Sequence, residues 1–315
     1  MKDGTKLWRL TKQLNGNGRV TTTVEADVQL LSGKQAANKF ADNYEEVSNI
    51  PVTKQHQREA RDEQRKTKTY QTTNECMDKK LTLNELQAAL RQLKAKKSPG
   101  PDAITHKMLT HLGNKATCKL LEIFNHSWTT GTLTQTWREA TMIPILKKGK
   151  DPKQAAVTAH KPHQLCWENY GVSCQPTHQV VPETNDLLAA EQAGFRQFRA
   201  TDQTTYHITR VAWIDLHRAF DKVWINGLIV KLMRNGVANN ILKWIQSYLF
   251  NRRARVSLDQ LSSRKILLRQ GVPQCGVLSP TLFLVFINNL VSERPRGVKA
   301  ALYTDCQFCH MKAMY

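Results

Sequence analysis

Two aspartates follow short apolar segments and are the side chains best suited to chemistry. Asp215 closes an apolar run that begins at Val211, and Asp305 follows a second run at 300–303. A carboxylate at the end of a buried strand is costly unless it is paired, solvated or bound to a metal ion. Brought together, two such carboxylates would supply the oxygen ligands that Mg²⁺ prefers, whereas each alone could simply cap a turn. Two ions so held would stabilise the attacking and leaving oxygens of a phosphoryl displacement.

A glycine-rich turn lies between the two aspartates. Residues 270–280 read QGVPQCGVLSP, and an apolar run that we expect to be helical follows from Ser279. Main chain can approach a bulky ligand where side chains are absent, and free N–H groups at a helix N-terminus favour anions. The turn therefore suits a nucleotide or a nucleic-acid strand. Lys147 and Lys148 follow a predicted strand at 140–146 and suit a triphosphate, with a solvated turn as the alternative.

Helical and extended patterns alternate along the surrounding sequence, which indicates an α+β fold. Thr82 and Glu85 form a capping-box pattern ahead of a helix, and Gly113 interrupts a second helical segment. Asn235 followed by Gly236 is typical of a helix C-terminus. The predicted elements are helices from 82, at 106–128, at 219–232 and at 241–249, and strands at 140–146, 211–216 and 300–303, with an edge strand at 251–258.

The chain is strongly basic. Its 315 residues include 46 Lys and Arg against 26 Asp and Glu, which gives a formal charge of +20. Because the surplus is spread over many segments, it indicates a polyanionic partner, with nucleic acid favoured over an anionic membrane surface. A hydrophobic content of 40% predicts a folded core. The residues expected to contact phosphates are Arg196, Arg199, Arg252, Arg253 and Arg255.

The N-terminal residues and the cysteines predict an intracellular protein, nuclear or cytoplasmic, that is not secreted and has no membrane partner. Residues 1–10 contain charges and no apolar stretch, and the apolar run at 277–290 is too short to span a bilayer. The 7 cysteines show no disulfide framework. Two alternatives concern cofactors. Residues 306–310 match the C-x-x-C-H pattern of haem attachment, and the His and Cys residues at 157–181 suggest zinc without paired-ligand spacing.

Six segments together resemble the reverse transcriptase of non-LTR retrotransposons, particularly jockey-like elements. The resemblance covers residues 81–156 and 185–305. Any one of these motifs would be a weak signal, whereas all six in this order are specific. The segments are KKSPGPDAI at 96–104, IPILKKGKDP at 143–152, AEQAGFRQFRATDQ at 190–203, WIDLHRAFDKVW at 213–224, QGVPQCGVLSP at 270–280 and ALYTD at 301–305.

The resemblance implies a right-hand polymerase with fingers and a partial palm, in which helices pack on an antiparallel sheet. It implies RNA-directed DNA synthesis, in which a primer 3′-hydroxyl attacks the α-phosphate of a dNTP on an RNA template. Asp215 and Asp305 would be the catalytic residues and would hold two Mg²⁺ ions, for which Mn²⁺ could substitute. Phe220 would screen the sugar 2′ position. The resemblance implies nucleotide binding by Lys147, Lys148, Arg196, Phe220, Gln274 and Gly276, and nucleic-acid binding by Arg199, Arg252, Arg253 and Arg255.

The same resemblance divides the chain into a polar basic linker at 1–80, a fingers-like part at 81–210 and a truncated palm at 211–315. Residues 157–181 depart from the family pattern, and the thumb is expected to be missing. A thumb or an endonuclease would then lie elsewhere in the parent element. Cys306 stands where the family has a second adjacent aspartate, and Cys275 stands where it has glycine. These departures predict weak or absent activity, and the alternatives are a non-catalytic nucleic-acid-binding remnant or an unfolded product.

Overall fold

The computed structural model is a mixed helix-and-sheet protein. It describes residues 24–26, 29–69, 79–93, 104–146, 158–163, 188–189, 192, 211–216, 218–274, 276, 278–292, 299–304 and 309–314. The helices are α1 Gly33–Ser48, α2 Lys54–Thr69, α3 Leu83–Arg91, α4 His106–Thr110, α5 Asn114–Thr130, α6 Ile225–Arg234, α7 Asn239–Leu249 and α8 Ser279–Ile287. The strands are β1 Val24–Ala26, β2 Gln29–Leu31, β3 Glu139–Leu146, β4 Thr158–His163, β5 Val211–Asp215, β6 Arg252–Leu258, β7 Leu261–Ser262, β8 Ile266–Leu268, β9 Lys299–Thr304 and β10 Cys309–Met314.

A five-stranded sheet has the order β4-β3-β6-β7, with β8 also paired to β6. Strands β3 and β6 run parallel, whereas the other pairings of this sheet are antiparallel. The strand predicted at 251–258 forms as β6, but the prediction that it lies at a sheet edge is wrong. Strand β6 pairs with β3 on one side and with β7 and β8 on the other. Its alternation of buried and exposed residues has another cause, which is that only one face of the sheet is covered.

Helix α1 covers that face and creates a second, smaller core. Its buried side chains pack against apolar residues of β6 and β8. Arg264, in the loop between β7 and β8, adds ion pairs to Asp42 at 2.7 Å and to Glu45 at 2.6 Å on the exposed side of α1. A segment predicted to be a linker therefore includes a helix that packs against the sheet. The buried residues of α1 recur at helical spacing and are Ala36, Ala37, Phe40, Ala41, Tyr44 and Ser48.

The larger core lies among α3, α5, α6, α7 and α8, with Trp244 fully buried within it. Several sequence predictions for these helices are confirmed. The Thr82–Glu85 capping box begins α3, Gly113 separates α4 from α5, and α8 starts at Ser279. Among the described helices, none combines the length and the apolar content that crossing a membrane would require.

The helix predicted at 219–232 begins later, at Ile225, and ends at Arg234. Residues 218–222 form turns instead, and Arg218 has a left-handed backbone with φ of 54°. Main-chain carbonyls at Phe220 and Val223 accept hydrogen bonds from a distant segment, so tertiary pairing takes the place of the first helical turns. The apolar spacing of this segment reflects burial of a loop against the larger core.

A separate three-stranded sheet has the order β5-β10-β9. Strand β10 is antiparallel to both neighbours, so β5 and β9 run parallel to each other on its two sides. The strands predicted at 211–216 and 300–303 are confirmed as β5 and β9.

Candidate active site

The C-terminal ends of β5 and β9 lie at the same edge of the three-stranded sheet. Asp215 is opposite His310 of β10, and His310 is opposite Tyr303 of β9 on its other side. Two strand spacings separate the main chains of Asp215 and Tyr303, which is about 10 Å. Asp305 follows Tyr303 by two positions and lies outside the described residues. The register therefore brings Asp215 and the start of the β9–β10 connection to one edge.

The loop after β5 pairs with the glycine-rich turn, and we call residues 220–223 and 270–274 together the clasp. The Gly271 amide donates to the Val223 carbonyl at 2.8 Å, and the Val272 amide donates to the Phe220 carbonyl at 2.8 Å. The amide of Ile225, at the start of α6, donates to Oε1 of Gln270 at 2.9 Å. Two segments that are fifty positions apart in sequence are thus joined through their main chains.

Glycine in the turn is required by contacts within the protein. Gly271 has φ of +88°, and a Cβ there would lie 2.6 Å from the Asp221 carbonyl oxygen. A Cβ at Gly276 would lie 2.6 Å from the Tyr248 hydroxyl and 2.8 Å from Oγ of Ser279. The sequence argument assigned both absent side chains to ligand approach. The structure gives a different reason, because the space beside each glycine is filled by protein atoms.

Gln274 is held by a carboxylate within the clasp. Its amide Nε2 lies 3.0 Å from Oδ1 and 3.0 Å from Oδ2 of Asp221, and both side chains are half-buried. Hydrogen bonds to a charged acceptor are stronger than neutral ones, so this contact restricts the orientation of the amide. Asp221 was not among the predicted site residues. The available signal was its position directly after Phe220 in the motif at 213–224.

Phe220, predicted to face a nucleotide sugar, is half-buried and stacks on Phe283 of α8. The ring centroids are 4.7 Å apart with 20° between the planes. Stacking of this kind fixes a ring more firmly than area burial alone. The clasp and the middle of α8 are therefore packed together.

Arg252, predicted to contact phosphates, has a different role. Its side chain is only 7% exposed, and its guanidinium donates to the carbonyls of Gln270 at 2.9 Å, Gly271 at 2.7 Å and Leu249 at 3.2 Å. Burial lowers the pKa of this guanidinium, an effect that Tyr248 and the Asp221 carboxylate oppose. The expectation of a phosphate contact is corrected, because the donors of Arg252 are committed to the clasp. Because inward-facing and outward-facing residues alternate along β6, the sequence alone does not show which of its arginines is buried.

The next two arginines of β6 differ from Arg252. Arg253 is exposed, and Arg255 is half-exposed with its guanidinium 3.9 Å from a carboxylate oxygen of Glu139. Lys265 lies 2.9 Å from the same carboxylate. Among the described residues, two cations thus pair with the Glu139 carboxylate, and Arg253 is exposed on the same strand as Arg255.

A cavity behind the clasp is too small for a nucleotide. Its volume of about 30 Å³ is close to the space that one water molecule occupies in the liquid. It lies between α1 and the clasp, and neither Gln274 nor Phe220 lines it. Its lining residues include Tyr44, Ser48, Asp221, Arg252 and Gln270.

Several predicted site residues lie outside the described part of the chain. They are Asp305, Lys147, Lys148, Arg196 and Arg199. Over the described ranges, His, Cys, Asp and Glu side chains form no group of three or more that could hold a metal ion. The zinc alternative concerns residues 157–181, and within this segment the structure describes only β4. The rest of the segment lies outside the described residues.

Comparison with known proteins gives a family match and several relatives. Residues 171–312 match the family described as Reverse transcriptase (RNA-dependent DNA polymerase). This match starts inside the segment 157–181, which departs from the resemblance seen in the sequence, and it extends past Asp305 through most of β10.

The chain is similar to the "RNA-directed DNA polymerase from mobile element jockey" of Drosophila melanogaster, with 28% identity over 254 residues covering 71% of this chain and 27% of that protein. It is 27% identical to the "Probable RNA-directed DNA polymerase from transposon BS" of the same species over 338 residues, 96% of this chain and 35% of the relative. A "Probable RNA-directed DNA polymerase from transposon X-element" is 24% identical over 62% of this chain and 23% of its own length. The chain thus spans about a quarter to a third of the curated relatives that it matches. The family match and these relatives together show that residues 171–312 of this chain are similar to reverse transcriptases of mobile elements.

Proposed function

We propose that the chain is the catalytic part of an RNA-directed DNA polymerase of a mobile element, acting on a primer 3′-hydroxyl and a dNTP. The observation that carries this proposal is the parallel placement of β5 and β9 on the two sides of β10. It supports Asp215 and Asp305 as the catalytic pair, because both follow strands whose C-terminal ends share one edge.

The two strand ends offer donors that fit a hard divalent cation. Asp215 and Asp305 would hold Mg²⁺ or Mn²⁺ through carboxylate oxygens, and a bound cation neutralises charge on the reacting phosphate. Cys306 would add a thiol, which is a soft ligand and suits Mg²⁺ poorly. We therefore propose a metal site with one carboxylate fewer than the family pattern and a correspondingly low rate.

On the nucleotide side, Phe220 and Gln274 are the described residues of the proposed site. Phe220 is fixed by its stack on Phe283, and Gln274 is fixed by Asp221. Asp215 precedes Phe220 by five positions, so the clasp begins close to the proposed catalytic edge. Lys147, Lys148 and Arg196 complete the proposed nucleotide contacts, whereas Gly276 is enclosed by Tyr248 and Ser279.

The proposed nucleic-acid partners are an RNA template and a DNA primer. Arg253 and Arg255 support this, because they stand on the face of β6 opposite to the one that α1 covers and are exposed and half-exposed among the described residues. Arg199 is proposed for the same role. We further propose that residues 81–210 act as fingers and 211–315 as part of a palm, with any thumb or endonuclease supplied elsewhere in the parent element.

Primer extension tests the proposal. The chain is incubated with poly(rA)/oligo(dT), dTTP and either Mg²⁺ or Mn²⁺, and incorporation is compared between the wild type and Asp215→Asn. We expect Asp215→Asn to lower incorporation about a thousandfold, because the charge that holds the cation is lost at constant size. Asp62→Asn, an exposed carboxylate on α2, is the matched control. Equal incorporation by the wild type and Asp215→Asn would contradict the proposal.

A second candidate function is nucleic-acid binding without chemistry. The thiol at Cys306 and the basic sheet face favour it, because the first weakens the metal site and the second does not depend on metal. Its signature is salt-dependent RNA binding by a chain that incorporates no nucleotide with either cation. A wild-type chain that extends primers excludes it.

A further inference from the structure

The carboxylate of Asp221 makes a contact that the fold does not need for joining the two halves of the clasp. Two main-chain hydrogen bonds and the side chain of Gln270 already join them, and Arg252 ties the turn to α7. The carboxylate of Asp221 accepts from the side-chain amide of Gln274, whose Nε2 approaches both oxygens at 3.0 Å. This bond therefore acts on the orientation of one side chain.

The surroundings make Asp221 a firm support for that side chain. Its main chain is fixed by a hydrogen bond from its own amide to the Arg218 carbonyl at 3.0 Å, and its carbonyl lies against Gly271. The buried guanidinium of Arg252 lies close enough for its charge to interact with that of the carboxylate. A charged acceptor on a fixed main chain holds a flexible amide more firmly than solvent does.

We infer that Asp221 is a positioning residue that holds Gln274 in the orientation in which it meets the incoming nucleotide. The inference rests on the proposed function, because it takes a deoxynucleoside triphosphate as the ligand of Gln274. Asp221 itself does not touch the ligand. The contribution to nucleotide binding that we infer passes through the glutamine, and this makes it separable from a general structural role.

A double-mutant cycle on nucleotide affinity tests this. A fluorescent dTTP analogue is titrated, in the presence of poly(rA)/oligo(dT), into the wild type, Asp221→Ala, Gln274→Ala and the double variant. Asp221→Ala is expected to weaken nucleotide binding about fivefold in the wild-type background and to have no effect once Gln274 is Ala. Asp221→Asn, which keeps one acceptor oxygen, should retain part of the affinity.

A merely structural role predicts a different pattern. If Asp221→Ala weakens binding equally in both backgrounds, the inference is overturned, because the effect then does not pass through Gln274. Absence of nucleotide binding in the wild type also overturns it. Loss of stability through Asp221→Ala is present in both backgrounds and cancels from the comparison, and thermal melts of all four proteins verify that each is folded.

Failure of the proposed function gives a distinct result. A wild-type chain that binds the nucleotide with coupling between Asp221 and Gln274, yet incorporates none into primer, supports the positioning role and contradicts polymerase activity. Conversely, template-dependent incorporation with independent effects of the changes at Asp221 and Gln274 supports polymerase activity. The same result contradicts the positioning role of Asp221. Where incorporation is measurable, Asp221→Ala should raise KM for dTTP more than it lowers kcat.

Discussion

The clasp and the proposed catalytic edge of the three-stranded sheet are held together in different ways. In the clasp, the side chains of Arg252 from β6 and Phe283 from α8 contact the two loop segments and fix them through buried hydrogen bonds and ring stacking. At the sheet edge, the relation between β5 and β9 is set by main-chain register across β10. In the sequence, Cys275 directly follows the clasp residue Gln274, and Cys306 follows β9 by two positions. Nucleotide binding and catalysis should therefore respond separately to mutation.

Removing the buried arginine of the clasp should have the largest effect on stability. Arg252→Ala leaves carbonyls of Leu249, Gln270 and Gly271 without their donor in a buried place. We expect a loss of about 3 kcal/mol in the free energy of unfolding, measured by urea denaturation followed by circular dichroism. Arg253→Ala, one position along the same strand and exposed, is the matched control and should change stability by about 0.5 kcal/mol or less. Equal losses would show that the guanidinium does not hold the clasp.

Adding one methyl group to the turn should have a somewhat smaller effect. At Gly276 a new Cβ meets the Tyr248 hydroxyl at 2.6 Å, so Gly276→Ala should lower the free energy of unfolding by about 2 kcal/mol. Gly113→Ala is the control, because a Cβ there has no heavy atom within 4 Å. Replacing Tyr248 by Phe removes the clashing hydroxyl and should recover part of the loss. Absence of recovery would mean that Ser279, at 2.8 Å, sets the limit.

Local sequence signals predict the helix boundaries well, because they depend on neighbours in the chain. The capping box at Thr82 and the break at Gly113 are confirmed for this reason. The same signals fail at 219–224, where pairing with residues fifty positions away replaces the helix. They also fail at β6, because alternation is the same for an edge strand and for a central strand with one covered face.

For the candidate site as well, the sequence predicts some features and misses those that depend on tertiary packing. The order of the motifs predicts Asp215, Phe220 and Gln274 as site residues from the sequence alone. The main-chain register places Asp215 and the C-terminal end of β9 at the same edge of the three-stranded sheet. The motif order does not reveal that Asp221 holds Gln274, or that Arg252 faces inward while Arg253 faces outward. Those facts depend on how segments that are distant in sequence pack against one another, and the local motifs do not encode that packing.

Restoring the missing carboxylate tests the sheet edge independently of the clasp. Cys306→Asp should raise Mg²⁺-dependent incorporation about tenfold in primer extension, because a hard oxygen ligand replaces a soft thiol. Affinity for the fluorescent dTTP analogue, governed by the clasp, should change much less. Cys118→Asp, at an exposed free cysteine of α5, is the control and should leave incorporation unchanged. Incorporation that stays at the wild-type level in Cys306→Asp would place the defect elsewhere in the chain.

The smallest expected effect concerns the outward face of β6. Arg253→Ala should weaken RNA binding a few-fold and reduce the slope of log K against log salt by about one, because one phosphate contact is lost. Arg255→Ala should change the slope less, since its guanidinium already lies 3.9 Å from the Glu139 carboxylate. Fluorescence anisotropy with a labelled RNA over a range of KCl measures both. Arg264→Ala serves as the control, because Arg264 is ion-paired with α1. A slope unchanged by Arg253→Ala would show that nucleic acid does not contact this face, and the proposed template path would then have to follow another basic segment.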